Sequence, residues 1–473
     1  MRAAFARRGV SRGAATAVGR VLQDRRFRML PAVMLWVQIA YMTIDFAPPA
    51  PPLAQVSVAP NPLARVIKLV LLALGAAVAL SRMVKTRGVL RELNRPFLFF
   101  IGLAVLSGAW SIDRPVTAAR LVALASMVMV CFAFGVGAWH PRRFQDVVRP
   151  ALTLILVASL IMGMVDPSWV REIGNTISLK NAWRGLTSQK NVFGELSSLG
   201  VIFWLHAWLA REVRPYRALV GTAIAWTCLI LSRSSTSLFC TVFATLFLLI
   251  IMQRGPTMRR YMPYIVVLFS GACVTYSLAV MNMVPGLQRL IIEPLLQFTG
   301  KNLTFSGRTQ IWQIINQNIA RHPYLGSGFG AYWGAGPVPS SPSYQFVTSM
   351  WGFWPTEAHN GYYDMRNDLG IVGLFCLFGY MFVYLRQSLR LIRFDRIQAT
   401  LFLALLFQQT LLNLTESTWL DLDNFCFTIM TAATVSLARA LFEHQRIRSS
   451  ERSAAAEMQP RSPVGSPRIR ARL

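Results

Sequence analysis

The chain has 473 residues, 54% of them hydrophobic and only 14% charged, with a formal net charge of +28. A soluble globular domain carries about a quarter charged residues, so the composition excludes an ordinary soluble protein and points to an integral membrane protein. A nucleic-acid groove is excluded as well, because the basic residues sit between apolar runs and at the two ends rather than interleaved with aromatics on one face.

The first 28 residues form a basic segment containing Arg2, Arg7, Arg8, Arg12, Arg20, Arg25, Arg26 and Arg28. The apolar run that follows, to about Phe46, is long for a signal-peptide core. A retained first helix is therefore expected even though Ala47-Pro48-Pro49-Ala50 follows it. Apolar segments long enough to cross ~30 Å of hydrocarbon then recur. With the first, they fall near 29–46, 64–81, 96–109, 116–138, 147–165, 193–210, 216–231, 236–252, 262–281, 360–385, 397–413 and 423–442. The third is the shortest. The stretch 48–62 is Pro-rich and predicts an extended connection.

Alternate connections carry the cations. They hold Arg82, Lys85, Arg87, Arg91 and Arg95; Arg142, Arg143 and Arg149; Arg211, Arg214 and Arg217; Arg254, Arg259 and Arg260; and Arg386, Arg390, Arg393 and Arg396. Twelve spans with both termini in the cytoplasm place every one of these clusters inside. The expected organisation is therefore an all-α polytopic protein: a basic N-terminus (1–28), spans one to nine (29–281), a large outer loop (282–358), spans ten to twelve (359–442) and a disordered basic tail (443–473). The loop, of about 77 residues, is long enough to be functional. It contains a helix-like stretch opening at Ser306-Gly307-Arg308, with an apolar stripe of Ile311, Trp312, Ile314, Ile315 and Ile319.

All six cysteines (Cys131, Cys228, Cys240, Cys273, Cys376 and Cys426) lie in apolar stretches without CxxC spacing. They read as small core residues rather than as a disulfide framework or zinc site.

This topology sorts the ionisable groups. Of five histidines, His140, His206 and His444 fall toward the inside; His322 and His359 fall outside. Lys180, Arg184, Lys190, Arg233 and Arg308 are outer cations that run against the inside bias. Cations held there suit phosphates, Arg by a planar fork and Lys as a point charge. A neutral histidine such as His359 can take a proton from a hydroxyl nucleophile. Against these readings stand plain ones: an outer Arg anchors lipid headgroups, His359 caps span ten, His322 ends the loop helix, and Glu416 and Asp421 are solvated. Asp421-Leu422-Asp423 reads as a helix cap rather than a metal site.

Five stretches carry a resemblance. They are Trp183-Arg184-Gly185 leading to Lys190-Asn191-Val192-Phe193-Gly194; Leu231-Ser232-Arg233-Ser234-Ser235-Thr236; Gly307-Arg308-Thr309-Gln310-Ile311-Trp312; His322-Pro323-Tyr324-Leu325-Gly326-Ser327-Gly328-Phe329-Gly330; and Ala358-His359-Asn360-Gly361-Tyr362, running on to Leu369-Gly370-Ile371-Val372-Gly373. With Asn413-Leu414-Thr415-Glu416-Ser417, they resemble the O-antigen ligase and polymerase superfamily, in particular its exopolysaccharide-production polymerases of the ExoQ type. Asn367-Asp368-Leu369-Gly370 departs from relatives that carry Glu before the Gly pair.

The resemblance implies a GT-C-like, metal-independent, inverting membrane glycosyltransferase without a cofactor. Its donor would be a glycan on undecaprenyl pyrophosphate at the outer side of a bacterial inner membrane. It further implies Arg184, Lys190, Arg233 and Arg308 on the pyrophosphate and His359 as base, with His322, Asn360 and Glu416 in support. A repeat-unit flippase and a chain-length regulator are implied partners. A polymerase, a ligase acting on lipid A core or protein, and more remotely a transporter remain the readings to separate. The span centres are nearly free of charge, which disfavours transport.

Overall fold

A computed structural model describes residues 29–47, 62–137, 139–173, 181–253, 255–280, 308–334 and 355–458, with a few isolated positions between them. The basic N-terminus, the Pro-rich stretch, Lys180, part of the long loop and the last residues of the tail lie outside the described residues. The protein is all-α; among the described residues the only strand-like pairing is an isolated bridge between Arg171 and Trp183.

Each of the twelve apolar segments contains a helix. In chain order these are α1 (Met29–Thr43) and α2 (Pro62–Ser81), then, after a basic helix α3 (Met83–Glu92), α4 (Arg95–Leu106), α5 (Arg114–Val136), α6 (Arg143–Val165), α7 (Lys190–Leu209), α8 (Pro215–Ser232), α9 (Ser235–Met252) and α10 (Pro256–Val280). The loop helix α11 (Arg308–Arg321) precedes α12 (Gly361–Leu391), α13 (Arg396–Leu412) and α14 (Phe425–Met458). Eight of these helices are long and apolar enough to cross a membrane. Several begin where the sequence supplies a cap: Asn94 accepts from Phe97 N (3.0 Å), Asp113 from Val116 N (3.1 Å) and Asp395 from Gln398 N (3.0 Å). Each such cap contributes ~1 kcal/mol by satisfying an end N–H.

Two differences from the sequence reading have simple causes. The connection carrying Lys85, Arg87 and Arg91 is the helix α3, which packs on α14 with Gly88 against the Phe442 ring. Its cations hide it from a search for apolar runs. The tail continues as helix to Met458 because its Ala, Glu and Arg residues are good helix formers.

The helices α7 and α14 run through the interior, 83% and 94% of their apolar windows being buried, whereas α2 is 22% buried and faces outward. The inner helices hold paired polar side chains, such as Gln408 Nε2 to Ser198 Oγ at 2.6 Å. An unpaired polar group in an apolar medium costs several kcal/mol, so these groups bond to one another.

Helix α12 breaks at Gly370, whose backbone is left-handed (φ 65°). The segment from His322 to Gly330 lies against that break. Ile371 N donates to Pro323 O (3.0 Å) and Val372 N to Tyr324 O (3.2 Å), while Ser327 N and Gly328 N, both at 2.9 Å, donate to the carbonyls of Asn367 and Asp368. The kink frees four backbone groups and this segment satisfies each of them. A side chain at Gly326 or Gly370 would collide with the facing backbone, which accounts for the glycines of both stretches.

Candidate functional site

The site forms at one end of the bundle, where α7 and α12 begin and α13 ends. Asn413 closes α13, and its backbone carbonyl accepts from Gly361 N at 3.0 Å. Asn360 is fixed from three sides. Its N–H donates to Ser417 Oγ (3.0 Å), its Nδ2 donates to Leu414 O (3.1 Å), and its Oδ1 accepts from Tyr362 N and Tyr363 N (3.1 and 3.2 Å). Asn360 therefore caps α12, and the ring of His359 is left for other work. Gly361 is needed because any side chain there would strike the Asn413 amide. His359 itself is left-handed (φ 50°), a conformation that costs an L-residue of order 1–2 kcal/mol and that the surrounding bonds enforce.

The imidazole Nδ1 lies 2.8 Å from Glu357 Oε1 and 3.2 Å from Glu416 Oε2. Glu416 is buried and bridges three elements: besides His359, its Oε1 accepts from Arg308 Nη2 of α11 (2.9 Å) and from Asn191 Nδ2 of α7 (3.1 Å). Burial by itself works against a charged imidazole. The Glu357 carboxylate and the hydrogen bonds that His359 donates to both glutamates outweigh it, and the pKa of His359 is pushed up to about 10. Burial likewise works against the Glu416 carboxylate, but its bond to His359 and the charges of His359 and Arg308 hold its carboxyl below the usual range. The four charges, two of each sign, balance. The expected neutral His359 is thus an imidazolium at rest, because two carboxylates face a single nitrogen.

Lys190, at the start of α7, lies within electrostatic range of Glu416, Glu172 and Arg233. Glu172 also accepts from the Lys190 backbone N–H. Arg233 closes α8 in a left-handed conformation (φ 51°). The loop helix α11 is seated by Trp312, whose Nε1 donates to Ala358 O (2.9 Å) and whose ring stacks on Tyr363 at 5.1 Å. This contact carries Arg308 to the cluster.

Of the sequence candidates, the structure brings together His359, Glu416 and Arg308 by direct contact, with Asn360 next to His359 in the chain and Lys190 within electrostatic range; Asn191, which the sequence reading did not single out, also bonds to Glu416. Arg184 stands apart. It is buried, and its guanidinium donates to Asp45 Oδ2 (3.1 Å), Ala47 O (2.7 Å) and Trp169 O (3.3 Å). These bonds tie the end of α1 to the segment after α6 and occupy the fork expected to hold phosphate. Among the described residues no hydrogen bond or ion pair joins His322 to the cluster. Glu416 is not a solvated end residue. Asp421 and Asp423 do not cap α14; Asn424 does, accepting from Cys426 N (2.8 Å), while Asp421 Oδ1 accepts from Asp423 N (2.8 Å). Burial and the neighbouring Asp423 push the Asp421 carboxyl well up.

Glu357 escaped the sequence reading. Its place two residues before His359 was the one signal for it, a weak one, since carboxylates are common in loops. Glu357, His359 and Glu416 have ligand atoms within 4.8 Å of one another and could hold a metal ion. A divalent ion there would take the place of the proton on His359 Nδ1, with Glu416 Oε1 still able to accept from Arg308.

The family model described as O-antigen ligase matches residues 220–378, a region holding Arg233, Arg308, His322, His359 and the kink of α12. The chain is also similar to the exopolysaccharide production protein ExoQ of Rhizobium meliloti (strain 1021), at 27% identity over 234 residues. That alignment covers 47% of this chain and 49% of the relative, so the chain matches about half of the relative's length. The protein is a polytopic helical membrane protein whose residues 220–378 match the family model described as O-antigen ligase.

Proposed function

We propose that the protein is a polysaccharide polymerase of exopolysaccharide production, joining lipid-linked repeat units at the outer face of a bacterial inner membrane. The observation that carries this reading is the charge-balanced cluster of Arg308, Glu416, His359 and Glu357 at one end of an apolar bundle, with Lys190 and Arg233 beside it. The similarity to an exopolysaccharide production protein supports it.

In the proposed reaction a hydroxyl of one repeat unit attacks the anomeric carbon of a glycan carried on undecaprenyl pyrophosphate. The new glycosidic C–O bond forms from the face opposite the leaving group and inverts the centre. The bond to the pyrophosphate breaks, and lipid pyrophosphate departs with that electron pair. Lys190, Arg233 and Arg308 stabilise the charge that develops on it, in place of a metal. The acceptor proton passes to Nε2 of a neutral His359, while the carboxylates at Nδ1 stabilise the imidazolium so formed. Arg184 braces the site. All twelve apolar helices cross the membrane in this reading, with both termini cytoplasmic, and a flippase and a chain-length regulator serve as partners.

The test is complementation of a deletion strain with His359→Ala, reading polymer length and lipid-linked intermediates together. The polymerase reading expects single lipid-linked repeats and no long chains at normal protein level; normal polymer refutes it. The family description favours a second reading, a ligase that moves finished glycan to lipid A core or protein. Free polymer with loss of glycan from its final carrier would establish that reading instead.

A further inference from the structure

A second group of cations stands at the same end of the bundle as the site. Helix α2 carries Arg65 and Lys68, three residues apart and therefore on one face, and α5 carries Arg120. The two helices touch at Gly75, where a side chain would strike Met129. Lys68 and Arg120, both nearer the helix starts, lie within electrostatic range of each other. Arg120 Nη2 pairs with Asp423 at 3.2 Å, and with the two side chains 27% and 77% exposed the pair is open to solvent. Lys68 Nζ lies 5.6 Å from the centre of the Tyr41 ring near the end of α1.

The placement of the α2 pair is unfavourable without a ligand. Lys68 lies ~9 Å into an apolar helix, at ~1.5 Å per residue, and that helix is 22% buried and faces outward. A charge at such depth costs free energy in a membrane and marks a functional group. The carboxylate within range of Lys68 is Asp423, which Arg120 already engages; Arg120 also has Asp421 and Asp368 within range. The surplus of positive charge therefore sits on Arg65 and Lys68, and among the described residues neither makes a hydrogen bond or an ion pair. Val66, Leu69 and Val70 are exposed beside them. Cations flanked by exposed apolar side chains fit an anionic headgroup on a hydrocarbon chain.

Arg120 and Asp423 line the same pocket as Glu357, and Glu357 meets His359 at 2.8 Å. The pocket thus joins the second cation group to the proposed base. We infer that Arg65, Lys68 and Arg120 hold the pyrophosphate of the acceptor, a second prenyl-pyrophosphate glycan whose terminal hydroxyl reaches His359 along the pocket. The inference rests on the polymerase reading, in which both substrates are lipid-linked. Two pyrophosphates repel each other and so need separate cations. Those around Arg308 serve the leaving group, and the α2–α5 group serves the acceptor, its arginines by forked contacts and Lys68 as a point charge.

The test counts binding sites by native mass spectrometry on the full-length protein in detergent, with farnesyl pyrophosphate as the probe. Two equivalents should bind to the native protein. Lys68→Gln combined with Arg65→Gln should weaken one of them at least ~tenfold, and Arg308→Gln should weaken the other. Lys68→Arg keeps the charge and should retain both. Helical content by circular dichroism should be unchanged in each variant. On the native protein, an excess of phosphatidylglycerol should displace neither equivalent; displacement of one would make the α2 pair an ordinary headgroup anchor and overturn the inference. A second equivalent indifferent to the Lys68 and Arg65 changes also overturns it. The measurement needs no glycosyl transfer. Two equivalents together with normal polymer in His359→Ala would defeat the polymerase reading and leave the second pyrophosphate site standing. A single equivalent, lost in Arg308→Gln alone, would defeat this inference and leave that reading intact.

Discussion

Replacing Glu357 with Gln removes the strongest of the interactions that favour a charged His359, and it leaves the Glu416–Arg308 pair untouched. At 2.8 Å and an effective dielectric near 20, Coulomb's law sets a ceiling of ~6 kcal/mol on this contact. The two side chains are 20% and 17% exposed, and charge-assisted hydrogen bonds are worth nearer ~1.5–3 kcal/mol net. At ~1.36 kcal/mol per pKa unit, the variant's imidazole should titrate roughly one to two pH units below the native value of about 10. A base must be neutral to accept a proton, so the native rate should climb as pH rises from 7 toward 10, and the variant's climb should begin one to two pH units earlier. At pH 7 the variant should then match or exceed the native rate, although its imidazole is the weaker base. The assay follows initial polymer formation in membranes supplied with extracted lipid-linked repeat units, at pH values from about 6 to 10. A native rate that stays flat or falls between pH 7 and 9 refutes the base role, and leaves His359 as a cation facing phosphate.

Arg308→Lys should lower polymer formation at least ~tenfold, because a point charge cannot span Glu416 and a phosphate as a planar fork does; full activity in the same complementation assay would reduce the role of Arg308 to charge alone. Arg184→Ala should act on stability rather than on chemistry, freeing one oxygen of Asp45 and two carbonyls at ~1–3 kcal/mol, because Asp45 is 34% exposed and can be rehydrated. It is checked by thermal unfolding in detergent and by protein level, with the rate per folded molecule unchanged. Chelation with EDTA should leave the transfer rate unchanged if fixed cations replace a metal; a loss restored by a divalent ion would instead place that ion on Glu357, His359 and Glu416.

The helices were legible because crossing a membrane demands an apolar run of a set length, and that demand leaves its mark on the sequence whatever the tertiary packing. Helix α3 was not, since Met83–Glu92 answers to a different rule: an amphipathic, cation-rich segment buries only Gly88 and Val89. The site divides in the same way. His359, Arg308 and Asn191 stand in local stretches whose character can be read along the chain. What joins them is Glu416, more than 200 residues from Asn191 and more than 100 from Arg308, and nothing local says that its carboxylate turns inward. The surroundings of Arg184 were hidden for the same reason. Its partner Asp45 lies 139 positions earlier, so an outer cation apparently free for phosphate is already engaged.

The balance of charge in the cluster bears on how a pyrophosphate could enter it. Two carboxylates matched by Arg308 and the His359 imidazolium leave the resting cluster neutral, which makes it tolerable at the end of an apolar bundle. A pyrophosphate brings further negative charge, and Arg308 cannot meet it without sharing the donors now given to Glu416. In the proposed reaction Lys190, within electrostatic range of Arg233, Glu172 and Glu416, shares the charge of the entering pyrophosphate with Arg308. As the fork of Arg308 turns toward phosphate, Glu416 loses a cation and binds the imidazolium more firmly. That shift raises the basicity of His359 and holds its resting proton more firmly, so in the proposed reaction donor binding and the protonation of His359 are coupled through one buried carboxylate.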